Sequence, residues 1–160
     1  MKKLLTLVLG ALFAIGCGST GGSSDVPNVG GIYKVTEGMR EVTDSFSGTQ
    51  QTDLAGLYLI INQNDDVVVL FDCGKKLKDN GDSSYTAKIG GCVSYGLDAS
   101  AGPGFFYTSG SAVFYEDTKV GVDVQINGSY PWVDFEFTID YSFTAELDEE
   151  MMSDSCPSCG

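Results

Sequence analysis

Histidine is absent from this chain of 160 residues, and arginine occurs only once, as Arg40. Histidine is the commonest general base and metal ligand in proteins, so its absence excludes Ser/His/Asp catalysis and histidine-ligated metal sites. A single arginine excludes an arginine cluster that would bind a phosphate group. We therefore predict that the protein is not an enzyme, needs no cofactor and has no metal site.

Basic residues are scarce as a class. The sequence has 9 lysine and arginine residues against 22 aspartate and glutamate residues, which gives a net charge of −13 at pH 7. Such an acidic chain is repelled by nucleic acid and by anionic lipid headgroups, so neither is expected as a partner through charge. The charge favours solubility, and it would also attract a basic protein partner.

No apolar run is long enough to cross a bilayer as a helix, which takes about 20 residues. The longest run covers residues 4–15 and follows Lys2 and Lys3. A positive head, a short apolar centre and small residues after it are typical of a secretory signal peptide. The start of the chain is therefore predicted to direct export.

The segment Phe13-Ala14-Ile15-Gly16-Cys17 resembles the lipobox of bacterial lipoproteins. The resemblance implies a signal peptide over residues 1–16 and a lipid-modified Cys17 as the first residue of the mature chain. Residues 17–29 would then be a Gly/Ser-rich flexible tether. The expected location is the bacterial cell envelope, anchored by lipid, with the outer membrane favoured because Gly18 and not Asp follows the cysteine. The alternative is an ordinary cleaved signal with a chance cysteine.

Apolar residues alternate with polar ones along most of the remaining chain, which is the period of a β-strand with one buried face. The clearest example is WVDFEFTIDYSFTAEL, residues 132–147, for which we expect a strand that bends or breaks near Asp140. One face carries Val133, Phe135, Phe137, Ile139, Tyr141, Phe143, Ala145 and Leu147. The acidic residues Asp134, Glu136 and Asp140 fall on the other face, which is expected to meet solvent. A strand over residues 120–126 and a turn at 127–131 complete a long hairpin.

Further strands are predicted over residues 31–37, 54–62, 66–73, 84–89, 92–97 and 111–117, and residues 38–53 are predicted to be a loop. About eight antiparallel strands in chain order indicate an all-β domain, an up-and-down barrel, over residues 30–148. A β-sandwich is the alternative. An acidic tail with two cysteines, residues 149–160, follows the domain.

Two stretches resemble small lipocalin-like bacterial lipoproteins, whose barrels are of the calycin type. The first is the strand start Gly31-Ile32-Tyr33, and the second is IINQNDDVVVLFDC, followed by YTAKIGG. The resemblance implies a cup that binds a small apolar ligand. The alternative is a structural or protein-interaction lipoprotein with a filled barrel and no small-molecule ligand.

Four cysteines remain besides Cys17, and an oxidising compartment would pair them in one of three ways. A hairpin that turns near residues 79–84 puts Cys73 opposite about residue 90, and a bulge at Gly90-Gly91 would align Cys92 with it. We therefore predict the disulfides Cys73–Cys92 and Cys156–Cys159. A redox pair or half of a zinc site are the alternatives for Cys156 and Cys159.

Three consecutive aromatic residues, Phe105, Phe106 and Tyr107, follow the flexible turn Gly102-Pro103-Gly104. They are candidates for the mouth of the ligand cup, and the alternative is core packing under a loop. The aspartates at positions 65, 66, 79 and 82 lack the spacing of a calcium loop and are expected to be turn residues.

Overall fold

The computed structural model describes residues 26–71, 73–98, 102–115 and 118–151. It contains one antiparallel sheet in which consecutive strands are neighbours and the first and last strands also pair. The strands are β1 (Gly31–Asp44), β2 (Gly48–Asp53), β3 (Tyr58–Asn64), β4 (Val67–Leu70), β5 (Cys73–Asp79), β6 (Ser84–Asp98), β7 (Gly102–Tyr115), β8 (Lys119–Tyr130) and β9 (Phe135–Leu147). The predicted all-β, up-and-down, barrel-like fold is confirmed, with nine strands in place of about eight.

Strand β1 closes the ring. One of its edges pairs with β9 from Tyr33↔Leu147 to Asp44↔Phe137. Its other edge pairs first with β3 over residues 31–34 and then with β2 over residues 39–44. Because β1 changes partner halfway, the sheet has a closed lower part and an upper part in which β2 is an edge strand.

The strands differ greatly in length around the ring. β6, β7, β8, β9 and β1 have 12 to 15 residues, whereas β3, β4 and β5 have 7, 4 and 7. We call the long strands the tall wall and β3–β5 the low wall. Above the low wall, the sheet consists of the tall wall with β2 on the edge of β1. Within the described residues, no strand pairs with the edge of β6 that faces away from β7 beyond Ala87.

The hydrophobic core fills the space between the low wall and the lower half of the tall wall. Its largest fully buried side chains are Tyr33, Phe114, Leu70 and Ile89. The Tyr33 hydroxyl donates a hydrogen bond of 2.9 Å to the carbonyl of Val29, so its one polar atom is satisfied inside the core. This lower part of the barrel is a packed core.

The start of β1 and the end of β9 lie together at one end of the barrel. β1 begins where β9 ends, and the Asp148 backbone N–H donates to the Ile32 carbonyl at 2.8 Å. We call this end the terminal end. The turns at residues 45–47 and 131–134 lie at the opposite end, which we call the open end.

The alternation predicted for β9 is confirmed, but its boundaries and its break are not. Phe143 and Ala145 are buried and Glu136 is exposed, as the pattern indicates. Residues 131–133 form a 3-10 turn that leaves Trp132 exposed, so the strand starts at Phe135. No break occurs near Asp140, because β8 and β1 pair with β9 on both sides along its length.

The predicted loop over residues 38–53 is wrong. This segment is the upper half of β1 and all of β2, joined by a turn. Every residue of β2 is exposed, so its pairing depends on backbone hydrogen bonds and leaves no apolar pattern in the sequence. A register shift between Val35 and Glu37 precedes Gly38, whose φ of 145° and contact with Phe143 leave no room for a side chain.

Other predicted boundaries also shift. The two short strands predicted over 84–89 and 92–97 are one strand, β6, with a register shift at Gly90-Gly91. The strand predicted over 66–73 is divided between β4 and β5, because Phe71 adopts a positive φ of 49° and turns the chain. β3 starts at Tyr58 and not at residue 54, and β7 starts at Gly102 and not at residue 111.

Within the ranges described above, no helix is long and apolar enough to cross a membrane.

Candidate functional site

The inner face of the tall wall, above the low wall, forms an open concave surface that we call the trough. Strand register arranges its side chains in rows, since paired residues of antiparallel strands point to the same face. The rows, from the core toward the open end, are Arg40, Tyr141 and Val124; then Val42, Ile139, Ile126 and Thr108; then Asp44, Phe137, Gly128 and Phe106; then Phe135, Tyr130 and Gly104.

The floor of the trough is formed where the low wall ends. Phe71, in the turn after β4, reaches across to Tyr141 of β9 with 5.1 Å between ring centroids. Two residues after Phe71, the disulfide Cys73–Cys92 connects the first residue of β5 to β6 with a Cα–Cα distance of 5.8 Å. These groups separate the trough from the packed core below.

Four aromatic rings, those of Phe106, Tyr130, Phe135 and Phe137, cluster in the upper rows. Their centroids are 5.7 to 6.4 Å apart, which is the range of favourable ring pairs. All four are partly exposed. Phe46, from the β1–β2 turn, stacks on Phe135 with 5.6 Å between centroids. The trough therefore presents apolar rings to solvent on its concave side.

Glycines lie beneath these rings. A Cβ atom on Gly96 would come within 2.7 Å of the Phe106 ring, and one on Gly104 within 2.6 Å of the Tyr130 ring. A Cβ atom on Gly128 would overlap the Phe137 ring. The rings therefore lie close against the backbone of the neighbouring strands, as aromatic side chains do when they cover glycine in a sheet.

Arg40 is the positively charged residue of the trough, and it lies in the row nearest the core. It pairs with Tyr141 on one side and Thr52 on the other, and its Nη2 donates a long hydrogen bond of 3.4 Å to the Thr52 hydroxyl. Its Nε is buried and has no hydrogen-bond partner, and it is the only such buried side-chain atom in the described ranges. The described ranges contain two ion pairs, Lys76–Asp66 and Lys119–Glu146, and neither involves Arg40.

Two other ionisable groups of the trough have shifted pKa values. Burial, and secondarily the Asp98 carboxylate, raise the pKa of the Tyr130 phenol, so it stays neutral. The backbone N–H groups of Ser47 and Phe46 donate to Asp44 and lower its pKa. Asp44 is thereby held by the β1–β2 turn at the rim.

Comparison with protein-family models, with curated proteins and with solved structures finds no match.

The three aromatic residues predicted at the cup mouth are divided between the two faces of β7. Phe106 points into the trough. Phe105 and Tyr107 lie on the outer face, each 46% exposed, and Phe105 contacts the ring of Tyr95. They lie within a strand, so the alternation that applies to β9 also separates them, and only Phe106 lines the site.

Sequence reasoning missed Arg40 as a site residue because its segment was predicted to be a loop. The signal that could have found it is weak. Arg40 and Val42 alternate with the exposed Met39 and Thr43, but the pattern is short and contains only two large apolar residues. Phe135, Phe137 and Tyr141 were correctly placed on the inner face of the last strand, without being assigned to a site.

The predicted disulfide Cys73–Cys92 is confirmed, as is the register shift that aligns it. Cys17, Cys156 and Cys159 lie outside the described residues, so the lipid anchor and the second disulfide stay predictions.

Two shallow depressions lie on the outside of the tall wall. One, of about 490 Å³, is lined by residues such as Ser111, Gly121 and Ser142, and the other, of about 480 Å³, by residues such as Asn127, Ser129 and Thr138. Both are lined by a mixture of polar and apolar groups, and neither contains a cluster of aromatic rings. The trough is the better candidate.

Three of the aspartates weighed as calcium ligands have partners near turns. Asp66 pairs with Lys76 at 2.7 Å, Asp79 accepts from the Gly81 N–H at 2.7 Å, and Asp82 accepts from the Ser84 hydroxyl at 2.6 Å. Throughout the part of the chain that the structure describes, no three His, Cys, Asp or Glu residues are grouped to hold a metal ion.

Proposed function

We propose that the protein is a lipid-anchored envelope protein that binds a small, largely apolar ligand in the trough. The observation that carries the proposal is the cluster of partly exposed aromatic rings on the concave face, above a core that is already filled. Water leaves this apolar surface when a ligand covers it, which stabilises the complex by about 25 cal/mol per Å². Apolar walls with few polar groups are typical of small-molecule sites.

The anchor is the second part of the proposal. Between Cys17 and Val29 there are twelve peptide units, which reach at most about 43 Å when fully extended and average about 20 Å as a flexible coil. The tether enters the barrel at the terminal end. β1 then runs 14 residues, about 46 Å, toward the open end. The trough would therefore open away from the anchoring membrane.

A protein-interaction role is the second candidate, and the open end favours it. Trp132 is 78% exposed and Phe46 is 73% exposed, and both lie on turns at that end. Large exposed aromatic residues are enriched at protein interfaces. A partner at this end would cover the mouth of the trough, so the two roles are compatible.

The ligand proposal is tested with N-phenyl-1-naphthylamine, a neutral apolar probe that fluoresces when it leaves water. The full-length protein is held in nanodiscs of zwitterionic lipid, and empty nanodiscs provide the blank. We expect binding by the wild type, and at least a tenfold weaker affinity for Phe106→Ser, which removes a trough ring and costs about 1.4 kcal/mol. Tyr107→Ser is the matched control on the outer face and should bind normally. Equal loss in both variants, or no binding by the wild type, would refute the proposal.

The anchor is tested by Cys17→Ser with fatty-acid labelling and detergent partitioning. We expect the variant to lose both the label and the lipid-phase partitioning, because a short apolar run does not hold a protein as several acyl chains do. Equal labelling of the two proteins would exclude the lipoprotein assignment and leave the trough proposal unaffected.

A further inference from the structure

We propose that the ligand of the trough is an amphiphile with one anionic group, and that Arg40 binds this anion. The inference rests on the proposed function, since it adds the chemistry of the ligand to the site described above. Its starting point is the guanidinium of the only arginine in the chain, which lies at the floor of a surface formed mainly by apolar and aromatic side chains, with the Asp44 carboxylate two rows above it.

The hydrogen bonding of Arg40 is incomplete. A guanidinium has five N–H donors. In Arg40, Nη2 donates one long hydrogen bond of 3.4 Å to the Thr52 hydroxyl. The Nε donor is buried without a partner. An unsatisfied buried donor on a charged group is costly, and in a native structure such a donor is completed by ordered water, an ion or a ligand.

The missing partner is an anion that the chain itself does not supply. Glu41 and Asp140, the carboxylates next to Arg40 and Tyr141 in the chain, fall on the outer face of the sheet, and Asp44 lies two rows above Arg40. All three have other partners. Asp140 accepts from Gln125 at 2.8 Å, Glu41 accepts from Gln51 at 2.7 Å, and Asp44 is bound by the β1–β2 turn. The chain has 22 acidic residues, but none of those that the structure describes forms an ion pair with Arg40, with a carboxylate oxygen within 4 Å of a guanidinium nitrogen. A ligand carboxylate, sulfonate or phosphate would fill this place, since the guanidinium matches the geometry of such groups.

The rows above Arg40 determine the rest of the ligand. Ile139 and Ile126 form the next row, followed by Phe137 and Phe106. From Tyr141, beside Arg40, to Phe135 at the rim is six residues along β9, about 20 Å. A ligand with its anion at the floor would therefore lay an apolar body of up to this length against the rings. It would enter with the anion first.

The test compares two probes with the same aromatic body. 1-Anilinonaphthalene-8-sulfonate carries one sulfonate, and N-phenyl-1-naphthylamine lacks it. Each is titrated into full-length protein in zwitterionic nanodiscs, with empty nanodiscs as the blank. We expect the wild type to bind the sulfonate probe at least tenfold more tightly than the neutral one. Arg40→Gln should abolish this preference and leave the neutral probe within twofold, and Arg40→Lys should restore part of it.

Lys34→Gln is the matched control, because it removes one positive charge from an exposed position of the same strand. It should leave both affinities unchanged. If the two probes bind equally and Arg40→Gln changes neither affinity, the anion proposal is wrong and the apolar site stands. If neither probe binds, both proposals fail. If Arg40→Gln weakens both probes equally and lowers the melting temperature, Arg40 has only a structural role and the anion proposal is again overturned.

Discussion

Phe137 and Glu136 are neighbours on β9 that point to opposite faces of the sheet. The Phe137 ring contacts Phe106, Tyr130 and Phe135, whereas Glu136 is exposed. We expect Phe137→Asp to lower the free energy of unfolding by about 2–4 kcal/mol, because it removes these contacts and places a carboxylate among apolar rings. Glu136→Lys should change it by no more than about 0.5 kcal/mol.

Urea melts of the two variants measure the difference. Greater damage from Glu136→Lys would mean that the acidic side of β9 faces inward, and the whole arrangement of the trough would then be inverted.

Asp44 gives the β1–β2 turn a dependence on pH. Its carboxylate accepts N–H groups of Phe46 and Ser47 at 2.8 and 2.5 Å, and these bonds lower its pKa below the usual 3.8. A lowered pKa in the folded state means that the stabilisation is complete above about pH 4 and is lost as the pH falls through the folded value.

An NMR titration of the Phe46 and Ser47 amide protons should show a midpoint below 3.8. In Asp44→Asn this transition should disappear. A midpoint at or above the usual value would show that the turn does not depend on the ionised carboxylate.

At the scale of single residues, a long alternation of apolar and polar residues correctly predicted the face to which each side chain points. The prediction failed where a single residue adopts an unusual backbone conformation or depends on distant partners. Phe143 and Ala145 were placed correctly because many alternating neighbours agree with them. Phe71 was not recognised as a turn residue, since a positive φ at phenylalanine is rare and depends on its tertiary contact with Tyr141. Arg40 was missed for a related reason, because its partners come from other strands.

Among the elements, β5 and β6 have a short regular connection of three residue pairs, as β3 and β4 do. Only Leu77–Asp79 pair with Tyr85–Ala87, and the disulfide Cys73–Cys92 extends this connection to the top of the low wall. The disulfide spans a sequence separation of 19. We expect the Cys73→Ser/Cys92→Ser variant to lose about 3 kcal/mol of stability, as is typical for a loop of this length. It should also bind the neutral probe more weakly, because the floor of the trough loosens.

Thermal melts with and without reductant provide the measurement. Reductant should destabilise the wild type and leave the double variant unchanged. Full stability in the reduced wild type would mean that strand pairing alone holds the low wall in place.

The elements that the sequence predicted best were those with one buried face, such as β8 and β9. β2 and the upper half of β1 were assigned to a loop. Backbone pairing stabilises them, since β1 lies between β9 and β2, and no apolar face is needed for that. A period-two pattern reports burial, so a solvated hairpin is not visible in it.

For the whole molecule, alternation and short turns were sufficient to predict an all-β, up-and-down arrangement. The unequal heights of the two walls were not predicted, because they depend on where each strand loses its partner. The trough exists only because of that inequality. Its position could therefore not be derived before the register was known, although most of the aromatic residues that line it were correctly placed on an inner face.

The pairing of β1 with β9 joins residues that are between 93 positions apart, at Asp44↔Phe137, and 114 positions apart, at Tyr33↔Leu147. Contacts this distant in sequence have a high entropic cost of closure, so such topologies fold slowly, in milliseconds to seconds. Until β9 has been synthesised, one edge of β1 is unpaired and Val35 has no Ala145 beside it. A chain whose barrel closes only with its last strand stays open during synthesis. That delay is compatible with the export proposed above, in which the chain would cross a membrane before it folds.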